Sequence, residues 1–358
     1  MNEQNLAKIT ELRHSLHRHA ELSCSETETK ELLIRFLMEH TTLEIVDRGA
    51  WFYAVHREPS EHTIAFRADF DALPVPDGTA KHLCGHDGHS AALCGLAMEL
   101  EGERVGKTVV LVFQHAEEIG VGAKECVSVI RECGVNEIYG MHNIPGYPKG
   151  ELLIRRGTMA CASKGMILSL TGTPAHAAYP EDGKNPSFAV GKLLEEIRSL
   201  SNPVLYQQLV LCTVVGIKVG EKSFGVSASE GELYLTIRGA LEEELEKLQS
   251  GIEKKAKELS AAEGLRLRIS YMDEFPATVN HDGAVDLVLR AAEKAERPHH
   301  ILEEPMRWSE DFGYYLKETN GAFFGIGAGE SCPALHTADY EYPDDLLTDA
   351  VSVWESLI

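Results

Sequence analysis

The chain has 358 residues, 44% of them hydrophobic and 25% charged, and a formal net charge of −22. That length exceeds what one hydrophobic core usually fills, so two domains are expected. So acidic a surface repels nucleic acid and anionic membranes and argues against either as a partner, and no apolar run of bilayer-spanning length occurs.

The chain starts with MNEQNLAKITELRHSLHRHAEL, which is polar and helical and lacks the apolar core of a signal peptide. With eight cysteines scattered through the chain, this implies a cytoplasmic protein with reduced thiols. Helical periodicity covers 2–19 and 26–40. Strand-like runs follow at WFYAVH (51–56) and TIAFRA (63–68), the second stopped by Pro74 and Pro76. Residues 88–100, GHSAALCGLAMEL, read as a buried helix of small residues, and TVVLVFQ (108–114) as a strand covered on both faces. A helix at 122–133 and a strand at 137–143 complete an alternation that predicts an α/β domain with a mostly parallel sheet.

The pattern changes near residue 164. A strand (164–172), a helix (185–200), two strands (209–220 and 231–240), a charged helix (241–262) and a last strand (264–272) follow in turn. That order predicts a ferredoxin-like α+β module at 165–275, inserted into a catalytic domain made of 1–164 and 276–358. The α/β pattern then resumes with helices at 282–296 and 310–318, a strand at 322–329 and a terminal helix after Pro343.

The polar clusters fall where strands of the first domain end. RADFDALP follows one strand, HAEE (115–118) the next, and His142 follows EIYG. Ligands of α/β sheets bind at the carboxyl ends of strands, so Asp69, Asp71, Glu117, Glu118 and His142 should share one rim. CGHDGH (84–89) sits close to it, just before a helix. Thiolate, imidazole and carboxylate together suit Zn²⁺ or a neighbouring first-row metal. Cys84 and His86 are two apart and cannot share a helix face. In a loop hinged by Gly85 they reach one metal or two adjacent ones. The alternative for CGHDGH alone is a polar turn with a helix cap at Asp87 or Ser90. Glu117 and Glu118, neighbours at a strand end, point different ways, which suits one as a metal ligand and the other as a general base.

From residue 13 to 342 the segments RHSLHRHAELSCSETET, RADFDALP, CGHDGHSAA, QHAEEIGVGA, HNIP, GTPAHAAYPEDGKNP, SEDFGYY and LHTADYEY occur in order. As a set they resemble the dinuclear metal-dependent amidohydrolases of the aminoacylase and carboxypeptidase superfamily. The nearest branch is that of hippurate hydrolases, auxin-conjugate hydrolases and N-acyl-amino-acid deacetylases. The resemblance implies two divalent ions (Zn²⁺, Mn²⁺, Co²⁺ or Ni²⁺) held by Cys84, His86, Glu118, His142 and His336. It implies Glu117 as the general base, with Asp69 and Asp71 supporting the ligands from behind. It implies His176 as a stabiliser of the oxyanion, Arg238 as the grip on a substrate carboxylate, and a homodimer through the inserted lid domain. The chain departs from the family pattern at His115, where proline is usual, at Gly225, where asparagine is usual, and in a shorter segment between DALP and CGHDGH.

The resulting expectation is metal-dependent hydrolysis of a small N-acyl amino acid, N-acetyl ones included. A dipeptidase or aminopeptidase on the same scaffold is the near alternative. A non-catalytic metal-binding protein is the distant one.

Overall fold

A computed structural model describes residues 1–358, and the chain divides into two compact units. One comprises residues 1–159, 278–305 and 310–358; the other comprises 160–277 and 306–309.

The first unit is built on an eight-stranded sheet. Its middle strands, Thr108–Gln114, Thr63–Asp69, Glu137–Pro145 and Asn320–Gly329, lie side by side in that order and run parallel. Every residue of Thr63–Asp69 and of Thr108–Gln114 is buried, as a continuous apolar run in a doubly covered sheet requires. Beyond Thr108–Gln114 come two antiparallel strands, Phe52–His56 and Glu44–Asp47. Beyond Asn320–Gly329 come the short strands Leu152–Ile154 and His299–Ile301. The helices Glu3–Arg18, Thr27–His40, His86–Glu99, Asp282–Lys294 and Leu346–Leu357 bury their apolar faces in one core. Leu16, Leu37, Leu93, Val288 and Trp354 meet Phe66, Leu111 and Phe324 of the sheet there. No helix is long and apolar enough to cross a membrane, and all eight cysteines are free thiols.

The helix His86–Glu99 is buried from His86 through Met98. Its small residues permit this: a Cβ on Gly88 would lie 2.3 Å from the Tyr342 ring. The helix begins two residues before the sequence suggests, because its cap is Gly85 rather than Asp87 or Ser90. Gly85 has φ 95°, and a Cβ there would lie 2.5 Å from Asn143 Oδ1 and 2.7 Å from the Tyr340 hydroxyl. Only glycine meets both demands at little cost.

Two predicted helices come out differently. The one expected at 122–133 is split into Gly122–Cys126 and Ser128–Glu132. At the junction the Ile130 amide bonds the Val127 carbonyl, a tighter i→i+3 step. The one expected at 310–318 shrinks to Gly313–Leu316, because the Phe312 amide donates to the Glu310 side chain instead. His142 lies inside its strand and not after it, since Glu137–Pro145 runs past it.

The second unit has a four-stranded antiparallel sheet in the order Val210–Val219, Glu230–Gly239, Ala162–Thr171, Arg266–Phe275. With the helices Ser187–Leu200 and Glu242–Ala262 this is the expected ferredoxin-like βαββαβ order. Alternate residues Gly231, Leu233, Leu235, Ile237 and Gly239 are buried. Leu193, Ile197, Leu245, Leu248 and Ile252 of the two helices pack in the same core.

In the first unit, the Phe113 ring stacks on Phe52 at 4.5 Å with 5° between planes, and both are fully buried. Phe113→Ala removes that contact and leaves a cavity, at a cost of about 3–5 kcal/mol. A lowered urea midpoint with an unchanged slope is the expected result.

Candidate active site

The first unit gathers the predicted ligands at the carboxyl ends of its parallel strands. Asp69 ends one strand, and Glu117 and Glu118 follow the next. His142 points from a third, and His86 opens the buried helix beside Cys84. His336 comes from the loop after Asn320–Gly329 and sits at φ 64°, a conformation non-glycine residues rarely adopt.

Cys84 Sγ lies 3.3 Å from His142 Nε2 and 3.3 Å from His336 Nε2. Glu118 Oε1 lies 3.8 Å from His86 Nε2 and 3.9 Å from His336 Nε2. The donor atoms form two triplets that share Cys84. They are Cys84–His86–His142 and Cys84–Glu118–His336, each with its atoms within 4.8 Å of one another.

The hydrogen bonds behind these groups set which ring nitrogens face inward. His142 Nδ1 is 2.8 Å from the Asn143 carbonyl, which can only accept, so Nδ1 carries the proton and the Nε2 lone pair faces Cys84. His86 Nδ1 donates to the backbone and side-chain oxygens of Asp71, each 3.0 Å away. Its Nε2 is buried with no hydrogen-bond partner, and so is Glu118 Oε1. Two buried polar atoms 3.8 Å apart, neither with a hydrogen-bond partner, are costly. A divalent cation satisfies both. Sulfur, imidazole and carboxylate donors in two overlapping triplets fit a pair of such ions.

The electrostatics also call for positive charge. Burial alone would lower the His86 pKa, yet Asp69 and Asp71 raise it to about 10. Burial, then the charges of Glu118 and Glu117, push the Cys84 thiol well above its ordinary range. Burial pushes Glu118 up to about 7. The Glu117 carboxyl rises well above the usual range through burial, then Glu310 and Asp311. His142 is held well below the usual imidazole value by burial and by His89, which keeps it neutral.

Sequence reasoning missed the residues that hold these groups. The fully buried Arg67 donates to Asp69 Oδ2 at 2.6 Å and to Asp311 Oδ1 at 2.8 Å, and lies 3.0 Å from Glu310 Oε1. His89 bridges Asp69 Oδ1 at 2.6 Å and Asn143 Oδ1 at 2.5 Å. Asn143 donates to the Tyr340 hydroxyl. The signal was available, since all six lie within the quoted segments RADFDALP, CGHDGHSAA, HNIP, SEDFGYY and LHTADYEY.

His176 and Arg238 belong to the second unit. His176 is exposed, and its Nδ1 accepts from the Ala178 amide at 3.1 Å. Arg238 donates to Ser309 Oγ at 2.8 Å. Gly225 has open space where a side chain would stand. In the first unit, His115 Nε2 lies 3.3 Å from Glu125.

Residues 65–358 match the profile of peptidase family M20/M25/M40. The chain belongs to this family. Among its relatives is a hippurate hydrolase of Campylobacter jejuni, 26% identical over 98% of this chain and 95% of its own. An N-acetylcysteine deacetylase of Bacillus subtilis is 27% identical over 98% of this chain and 96% of its own. The solved structure of a dinuclear metal-binding M20 peptidase, the Bacillus subtilis YXEP protein, superposes with a TM-score of 0.84 at 24% identity. It covers 99% of this chain and 98% of its own. The family and the fold class implied by the motif order are thus both borne out, and with them the reading as a hydrolase.

Beside the M20 site, Asp87 is fully buried and bonds His17 Nδ1 at 2.8 Å. Burial opposes its ionisation, but His17 leads the groups that hold it down at about 2. The same bond raises the His17 pKa. The depressed carboxyl stabilises the fold above its ordinary pKa of about 4. That contribution is lost as pH falls from about 4 to about 2. The raised imidazole stabilises below its ordinary pKa of about 6.5, and its contribution fades as pH rises past that value. His17→Ala is expected to abolish the second effect and shrink the first, read as urea midpoints across pH.

Proposed function

We propose that this M20 protein hydrolyses the amide bond of small N-acyl amino acids, including N-acetyl ones. The observation that carries the reading is the unpartnered pair of buried atoms, His86 Nε2 and Glu118 Oε1, beside the raised carboxyl of Glu117. The names of the hippurate hydrolase and the N-acetylcysteine deacetylase support the substrate class.

Cys84, His86, Glu118, His142 and His336 would hold two divalent ions, drawn from Zn²⁺, Mn²⁺, Co²⁺ and Ni²⁺. Bound there, the ions supply Lewis acidity and make water a stronger nucleophile at neutral pH. Glu117 takes a proton from the attacking water and delivers it to the departing nitrogen. A carboxyl raised by burial suits both halves of that task, because it binds the proton firmly enough to carry it. Asp71 and the Asn143 carbonyl keep His86 and His142 in the tautomers that present Nε2. His176 donates to the developing oxyanion, and Arg238 pairs with the substrate carboxylate through two parallel hydrogen bonds. The second unit acts as a lid and dimerisation domain on a cytoplasmic enzyme.

Release of free amine from a panel of N-acetyl amino acids, hippurate and dipeptides, with and without Mn²⁺ or Zn²⁺, tests the reading. Metal-dependent release from the acylated compounds is expected. Release from dipeptides alone moves the activity to the peptidases. Glu117→Gln should lower kcat by about 10²- to 10⁴-fold with metal content unchanged by elemental analysis; near-normal turnover removes Glu117 as base.

For the dimer, the strand Val210–Val219 lies at an edge of its sheet with Val215 and Ile217 65% and 50% exposed. An apolar edge of this kind pairs readily with a second copy. Ile217→Lys is expected to shift the mass by light scattering from dimer to monomer, and a monomeric unmodified protein would refute the pairing.

A further inference from the structure

The catalytic pair Glu117–Glu118 follows a strained residue. Ala116 has φ 48°, a left-handed conformation that alanine rarely adopts. Its carbonyl accepts from the amides of Val121 at 3.2 Å and Gly122 at 3.1 Å. Its amide donates to Glu26 Oε1 at 2.8 Å, from the start of the chain's second helix.

Glu26 stands at the N-cap of Thr27–His40, where a side-chain oxygen ordinarily accepts from the helix's first turn. It makes no such bond. That duty falls to Glu21, whose Oε2 accepts from the Thr29 amide at 2.8 Å. Glu26 is instead 6% exposed and turned onto the Ala116 turn. A neighbour acts in parallel: Ser23 Oγ donates at 2.7 Å to Asp71 Oδ2, the oxygen that also accepts from the Glu118 amide at 3.0 Å. Residues 23–26 thus hold the peptide before the pair and the amide within it. Without the Glu26 oxygen, a buried donor on a left-handed turn loses its partner, and the turn can relax by rotating the chain just ahead of Glu117.

We propose that Glu26 is a positioning residue for Glu117: by accepting the Ala116 amide it holds the left-handed turn that aims the Glu117 carboxylate into the site. This rests on the reading of Glu117 as the general base. Burial, helped by Asp71, raises the Glu26 carboxyl to about 7, so a neutral group is tolerated there. A glutamine keeps a carbonyl oxygen for Ala116; a leucine keeps bulk without an acceptor.

The test is steady-state kinetics and metal content for Glu26→Gln, Glu26→Leu, Glu117→Gln and the double variant Glu26→Leu/Glu117→Gln, all on the full chain. Glu26→Leu is expected to lower kcat about 10- to 100-fold, as a small misplacement of a reacting group does. KM and bound metal should stay near the unmodified values, and Glu26→Gln should keep most of the activity. In the Glu117→Gln background Glu26→Leu should add no further loss, because it acts through that carboxylate. Unchanged kcat in Glu26→Leu overturns the proposal. So does a loss that follows metal content or folded fraction, equal damage by Gln and Leu, or losses that multiply in the double variant. If Glu117→Gln alone remains active, the base assignment falls, and the hold on the turn is judged separately by hydrogen exchange at the Ala116 amide. That exchange should quicken in Glu26→Leu and not in Glu26→Gln; an unchanged rate overturns the proposal.

Discussion

One buried guanidinium organises the first unit. Arg67 lies on a fully covered strand and faces Asp69, Glu310 and Asp311 at hydrogen-bonding distance. Gln114 completes the arrangement, accepting from Arg67 and donating to Asp311. Moving such charges out of water is unfavourable, and only close, well-bonded partners offset it. One arginine cannot balance these carboxylates together with Asp71, Glu117 and Glu118 close by. Burial pushes Glu310 up to about 8 and Asp311 up to about 6, with neighbouring carboxylates adding to the rise. Divalent ions between Cys84, His86, Glu118, His142 and His336 would relieve that crowding, so electrostatic balance and metal binding are one problem here.

Three of the five non-glycine residues at positive φ fall on the same map. Ala116 precedes Glu117 and Glu118, His336 is one of the candidate donors, and Cys24 adjoins Ser23, which bonds Asp71. Strained conformations persist where surrounding bonds over-determine them, and they cluster at functional sites. Gly85 adds a turn whose missing side chain makes room for Asn143 and Tyr340. The rim is assembled from positions that unrestrained chain would avoid.

Much of this was legible in the sequence because its signals are local. TVVLVFQ is continuous and apolar, and it forms a strand over those same residues. The strand and helix order in the middle of the chain matches the ferredoxin-like sheet, because alternation and amphipathic periodicity need no distant partner. Glu117, Glu118 and the Cys84–His86 segment were readable as polar clusters beside apolar strands, whereas His336 was reached only through the family resemblance. The partners of those donors were not readable. That Arg67 meets Asp311, or His89 meets Asn143, depends on segments brought together only by folding. The short strands Glu44–Asp47 and His299–Ile301 carry too few residues to show an alternation. The helix expected at 310–318 lost its first turn to a side chain whose other partner is Arg67, which no local pattern announces.

The helix His86–Glu99 ties chemistry to folding. Its first residue is a candidate metal donor and its remaining length, through Met98, is core. An ion that binds only the folded form shifts the folding equilibrium in proportion to the logarithm of its free concentration. Since the donor loop cannot loosen without disturbing this helix, metal starvation would reach the packed interior directly. A cell short of the ion would then lose the protein to proteolysis as well as its turnover, and the amount of enzyme would follow the supply of metal without any dedicated regulator.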